Sequence, residues 1–352
     1  MILSYNDEMK FVHIADLHLD TPLLALKNNR ELIKLRRSEH KQIFKDVIKF
    51  VKSEKAEILF ISGDLFEHKF VEKSTIEFII SSLELIPETK VFITPGNHDP
   101  YIKNSPYDSF VWPENVKIFG EKIEKVSVGD VDVYGFGFES FEVHENELKD
   151  FKVDDANKTN VLITHGTLSG NSKKYNDINP KFLTQFDYVA LGHIHLPKID
   201  NNIVYPGALV ACGFDECGEH GLVHGEFSNK NVSYEFKNME YRHFVDLEVD
   251  ISDVKIPSDV LDKLSFEDDI YRITFVGARN IEIKELEDAI KGTTLSIAEF
   301  KDETRLPYDL EEIAKQQTLK GIFTRKMLEG LKNNPNQKEE IMKAIEITYA
   351  AF

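Results

Sequence analysis

Aspartate, asparagine and histidine recur in this chain at the ends of short apolar runs. Residues 11–15 lead into Asp16-Leu17-His18, residues 58–62 into Gly63-Asp64, and residues 91–95 into Gly96-Asn97-His98-Asp99. Residues 161–164 then lead into His165-Gly166, and residues 188–191 into Gly192-His193-Ile194-His195. An apolar run of this length, bounded by glycine or polar groups, fits a strand buried on both faces. Residues just past the carboxyl ends of such strands line the ligand crevice of an α/β sheet. Asp16, His18, Asp64, Asn97, His165, His193 and His195 are therefore expected to converge on one site. Their mixture of carboxylate, amide oxygen and imidazole suits Mn²⁺, Fe²⁺ or Zn²⁺ better than Mg²⁺ or Ca²⁺, which prefer oxygen alone. So many donors exceed one tetrahedral site, and two divalent ions sharing a bridging carboxylate are the natural count.

Any one of these histidines alone would more often be a hydrogen-bonded core residue than a ligand, and a lone Gly-Asp pair is worth little. The ordered set of strand endings reverses that weighting. His13, inside the first run, is expected in the core. His40, His68, His144, His220, His224 and His243 share no such pattern and are expected at the surface or in support of the site.

The series D-x-H, G-D, G-N-H-D, H, G-H-x-H resembles the calcineurin-like metallophosphoesterases. Within that superfamily, residues 13–19, the Gly63-Asp64-Leu65-Phe66 word, and Gly192-His193-Ile194-His195 followed by Tyr205-Pro206-Gly207-Ala208-Leu209 are similar to the SbcD-type DNA repair exonucleases, including the YhaO-like bacterial branch. The resemblance implies a four-layer α-β-β-α sandwich. It also implies one metal held by Asp16, His18, Asp64 and His195 and a second held by Asp64, Asn97, His165 and His193, with Asp64 as the bridge. His98, which cannot easily ligate beside Asn97, would serve the leaving oxygen, with Asp99 either orienting it or capping the turn. Two positions depart from the subgroup. Glu67, with His68 beside it, stands where some family nucleases carry a histidine that helps select DNA ends, and Ala208 stands where serine commonly follows the proline-glycine word.

The elements that must position these residues alternate as an α/β fold requires. Ser74-Thr75-Ile76-Glu77 matches a capping box opening a crossover helix that runs to Pro87. Residues 131–138 read as a further strand and residues 203–236 as several short ones. A helix beginning near Ser38 would turn Ile43, Phe44, Val47, Ile48, Phe50 and Val51 inward. Its surroundings, residues 27–55, form a basic stretch in a chain whose net charge is −18, from 43 basic and 61 acidic residues. That acidic balance argues against a surface coated for nucleic acid. A solvated face is the favoured reading of the basic stretch, with Arg30, Arg36 and Arg37 the better candidates for touching a nucleic-acid backbone.

The length favours two domains. Residues 1–240 are expected to form the phosphoesterase domain and 241–304 a small α/β capping domain of the SbcD kind. Residues 305–352 are expected to be helical, with one apolar face of Leu319, Ile322, Phe323, Met327 and Leu331 and, past Pro335, another of Ile341, Ile345, Tyr349 and Phe352. Packing on the capping domain is the simpler use of those faces. The resemblance implies an SbcC-like coiled-coil ATPase as the other, and a homodimer as the family's assembly. Neither a spanning run nor a leader-like start is visible, and Cys212 and Cys217 cannot build a disulfide framework, so a cytoplasmic protein is expected.

The leading expectation is therefore a Mn²⁺-dependent DNA exonuclease or endonuclease. A phosphodiesterase or phosphatase acting on small nucleotides, other phosphoesters or phosphoproteins would need the same ligands. An inactive protein-binding scaffold is disfavoured by the full set of polar residues.

Overall fold

The computed structural model describes residues 8–168, 174–239, 242–264 and 267–349. The chain divides into two compact units, one ending at Val245 and one beginning at Asp246.

The first unit is built on two six-stranded sheets. In one, the parallel strands Met9–Ile14, Ile58–Ile61, Lys90–Ile93 and Val116–Ile118 lie side by side, and Met9–Ile14 pairs antiparallel with Gly221–Ser228 on its other edge. In the other, Val131–Gly135, Thr159–His165, Tyr188–Gly192 and Ile203–Tyr205 run parallel at the centre. Alternate residues of each inner strand enter different cores, as a strand buried on both faces demands. Phe11, Phe60 and Phe92 join Val133, Ile163, Tyr188 and Ala190 in the layer between the sheets. Val12, Leu59, Ile61 and Val91 turn the other way, onto Ile43, Phe44, Val47, Ile76 and Ile79 of two helices.

Those helices differ in detail from the sequence reading. The first spans Arg30–Glu54, because Asn29 caps it, its side chain accepting from the Leu32 amide at 3.1 Å, and Ser38 lies mid-helix. The second spans Lys73–Leu83 behind Glu72, with no side-chain cap bond, so the expected capping box does not form. The Ser74 hydroxyl instead donates back to Glu72.

The fourth layer is thin. Leu162, Val189, Leu191 and Tyr205 on the outer face of the second sheet are covered by Leu148, Ile178, Leu183 and Phe186, which come from 3₁₀ turns, a two-residue strand and irregular segments rather than from long helices. Aromatic bulk substitutes for helical cover there. Phe151 and Phe186 stack at 6.2 Å, and Tyr134 meets both edge-on.

The second unit holds a three-stranded sheet of Phe244–Asp250, Ile270–Val276 and Ser296–Asp302, with the Ile283–Lys291 helix burying Leu286 and Ile290. Three helices follow, Leu310–Lys315, Leu319–Asn333 and Lys338–Tyr349, the last two divided at Pro335 as the sequence suggests. Ile345 and Tyr349 are buried, Tyr349 meets Thr324 through their hydroxyls, and Arg279 pairs with Glu346 across the unit. Leu319, Ile322 and Ile347 stay exposed, so the expected Leu319 face is only partly used. Phe352 and Glu240 lie outside the described residues. Among the described residues no helix is long and apolar enough to cross a membrane.

Candidate metal centre

All five sequence motifs meet at the carboxyl ends of the central strands of the two sheets. Asp16 and His18 follow Met9–Ile14, Asp64 follows Ile58–Ile61, Asn97 follows Lys90–Ile93, His165 ends Thr159–His165, and His193 and His195 follow Tyr188–Gly192. Sheet closeness makes this convergence tight. A Cβ on Gly192 would sit 1.9 Å from the Ser62 carbonyl oxygen, so only glycine lets the second sheet's strand end approach the first. Four of the converging residues adopt left-handed backbone: Asp16, His18, Asp64 and His193 have φ of 51°, 46°, 51° and 103°. Non-glycine residues rarely do so without support from the surrounding fold, and such strain concentrates at functional sites.

The side chains form two groups. Ligand atoms of Asp16, His18 and His195 lie within 4.8 Å of one another, as do those of Asp64, His165 and His193. The Asn97 Oδ1 joins the second group, 3.2 Å from both His165 Nε2 and His193 Nδ1. Asp64 lies between them, its Oδ2 3.3 Å from His165 Nε2 and 3.7 Å from His18 Nε2.

Three of the four histidine rings are held from behind by a neighbour. His18 Nδ1 is 3.0 Å from Glu67 Oε1, His195 Nδ1 is 2.5 Å from Glu216 Oε1, and His165 Nδ1 is 2.8 Å from the Ser62 carbonyl. A proton on each Nδ1 leaves Nε2 as a lone pair facing the cluster. The His18 and His195 Nε2 atoms are then 3.1 Å apart, lone pair against lone pair. That repulsion is relieved by a cation between them, so the donor set fits the metal pair. Protons answer the same demand. Against the penalty of burial, the Asp64 carboxylate raises His165 to about 9, and Glu216 with Asp16 raises His195 to about 9. Burial, reinforced by His165, lowers His193 to about 4.

His98 lies beside the His18 ring, centroids 4.8 Å apart, and with His18 and Glu67 forms a third group whose ligand atoms lie within 4.8 Å of one another; its side chain is 44 % exposed. Its Nδ1 is 3.0 Å from Glu67 Oε2, a contact that raises its pKa, and its amide donates to Asp64 Oδ1. Glu67 thus spans His18 and His98. The Asp99 carboxylate accepts from the amides of Asp64, Leu65 and Gly96 and from the Tyr107 hydroxyl, the turn-capping alternative to orienting His98, and so fixes the loops that carry Asp64 and Asn97. A buried carboxylate surrounded by amides serves the turn better than the ring. Glu67 and Glu216 are the partners that sequence reasoning missed. Glu67 stands out in the sequence only as a departure from the subgroup, and Glu216 lies in the irregular segment after the proline-glycine word, with no periodicity to mark it.

Two other expectations change here. Arg36 is wholly buried, donating to the carbonyls of Ala211 and Arg242 and to Glu39, and so is no surface contact for nucleic acid. His40 is likewise buried, while His13 sits in the core as expected, bonded to Ser62 and Tyr188.

A mixed α/β sandwich with aspartates, an asparagine and histidines gathered at its strand ends defines a metal-dependent phosphoesterase scaffold. The chain belongs to the calcineurin-like phosphoesterase family, whose profile matches residues 9–197. That family binds a dinuclear metal centre, and the two side-chain groups fit it. The chain is 27 % identical over 266 residues to the uncharacterized metallophosphoesterase YhaO of Bacillus subtilis, covering 70 % of this chain and 64 % of that protein. It is 26 % identical over 266 residues to the SbcD component of the SbcCD nuclease of Staphylococcus saprophyticus, covering 65 % of this chain and 68 % of that protein. Among solved structures, purple acid phosphatase PPD1 of yellow lupin aligns with a TM-score of 0.42 at 12 % identity, covering 66 % of this chain and 52 % of that one. The chain thus spans about two thirds of the length of these curated relatives.

Proposed function

We propose that the protein is a Mn²⁺-dependent phosphodiesterase that hydrolyses DNA. The observation that carries the reading is the convergence of Asp16, His18, Asp64, Asn97, His165, His193 and His195, with Asp64 between the two groups. Asp16, His18, Asp64 and His195 would hold one ion and Asp64, Asn97, His165 and His193 the other. When bound, such a pair activates water and neutralises charge on the phosphoryl oxygens. The protein's own residues supply the rest. Glu67, Glu216 and the Ser62 carbonyl fix the ring orientations, and Asp99 with Tyr107 fixes the loops. His98, charged more readily through Glu67, donates a proton to the oxygen that leaves phosphorus. A small α/β unit beginning at Asp246 supports an SbcD-like reading, as does the nuclease named among the relatives. In that reading the exposed Leu319, Ile322 and Ile347 are available to a coiled-coil ATPase partner, and the protein works in the cytoplasm, as a monomer or a homodimer.

Purified protein with Mn²⁺ is offered linear duplex DNA, single-stranded DNA and bis(p-nitrophenyl) phosphate, with His98→Ala as control. Cleavage of DNA that His98→Ala loses is the expected result. Hydrolysis of the small diester alone, even with an ATPase partner added, would replace the nuclease by a small-substrate phosphodiesterase.

A further inference from the structure

Beside His98 opens a pocket of about 250 Å³ lined by Lys69, Asn97, His98, Phe141, Glu142 and Tyr175. It is smaller than the roughly 300–1,000 Å³ of a drug-sized site, and so has room for one ring system rather than a stacked pair. Phe141 is 42 % exposed and is the phenyl ring that lines this pocket. The His68 ring meets it edge-on at 5.8 Å, and the Lys69 ammonium lies over it at 5.8 Å. Among the described residues Lys69 has no carboxylate within salt-bridge distance, while Glu142 is occupied by Lys174 and His144.

Resting on the reading of His98 as leaving-group donor, we propose that this pocket is a nucleobase subsite for the leaving nucleoside. The base stacks on Phe141 and displaces Lys69 from the ring. The freed ammonium then meets the next phosphate of the strand. Aromatic stacking accepts any base, and a base stacked on Phe141 must first be free of its duplex neighbours. In a chain with net charge −18, long-range attraction to DNA is weak, and local stacking with one lysine is the means of holding a strand.

The test uses the full chain and two single-stranded thymidine dinucleotides, one intact and one abasic on the leaving side. Preference for the intact one is read in kcat/KM with Mn²⁺ and in calorimetric affinity without metal. Wild type should prefer the base by about tenfold, Phe141→Leu should bring that ratio near one, and Phe141→Tyr should restore it. Lys69→Gln should leave both dinucleotides, which carry no second phosphate, bound as tightly as before, and should weaken an intact thymidine trinucleotide, which carries one. A wild-type ratio near one, or a Phe141→Leu ratio equal to wild type, overturns the subsite. Binding with the preference intact but no cleavage of either dinucleotide sinks the nuclease reading and keeps the subsite.

Discussion

Glu67 Oε2 lies 3.0 Å from Nδ1 of His98, and the other oxygen of the same carboxylate holds His18. One side chain therefore orients both the His18 ring and the ring of His98, the proposed donor to the leaving oxygen. Glu67→Gln keeps the shape but removes the charge that favours a protonated His98. It should lower kcat about 10–100-fold, the range seen when a residue behind a metal ligand is lost. Steady-state kinetics with saturating Mn²⁺ separates this from weaker metal binding.

His98→Ala should cost about 10²–10⁴-fold in kcat on a dinucleotide, whose alkoxide leaving group needs a proton. On bis(p-nitrophenyl) phosphate the loss should be far smaller, because nitrophenolate leaves unaided. Equal losses on both substrates would remove His98 from the leaving-group role.

Glu216 reaches His195 and also accepts from the Cys212 amide. Glu216→Ala should weaken affinity for metal about 10–100-fold with little change in fold. Competition against a chelating dye measures this, and unchanged affinity would show that His195 needs no such support.

The buried histidines make stability depend on pH. Burial lowers His13 to about 3, and burial with the Arg36 guanidinium keeps His40 well below its usual range. Below the unfolded value near 6.5 the unfolded chain binds protons that the folded chain refuses, so stability falls as pH drops from about 6.5 towards 3. His13 contributes about 1.4 kcal/mol per pH unit across that window, and His40 adds to the loss in the same direction. Denaturant unfolding at pH 7 and pH 5 should show the loss, and His40→Leu should reduce its slope.

Arg36 illustrates what the sequence could and could not disclose. By type and neighbourhood it belongs to a basic surface, and only its reach to the Ala211 and Arg242 carbonyls, far along the chain, shows it to be a buried strut. Arg36→Ala should destabilise the fold by about 3 kcal/mol, the scale for removing one member of a buried ionic cluster. The ligands were legible for the opposite reason. Each directly follows an apolar run, so strand prediction and site prediction are one step. The supporting roles of Glu67 and Glu216 were hidden because their partners depend on how loops from separate strands meet. The thin fourth layer was hidden too, since its aromatic cover has no helical period.

The most direct measurement is titration of the metal-free protein with Mn²⁺, following free Mn²⁺ by electron paramagnetic resonance. Two tight equivalents per chain are predicted, with a strong loss of both in Asp64→Ala, the residue placed between the two groups. A single equivalent in the wild type, or two that survive Asp64→Ala unchanged, would contradict the account.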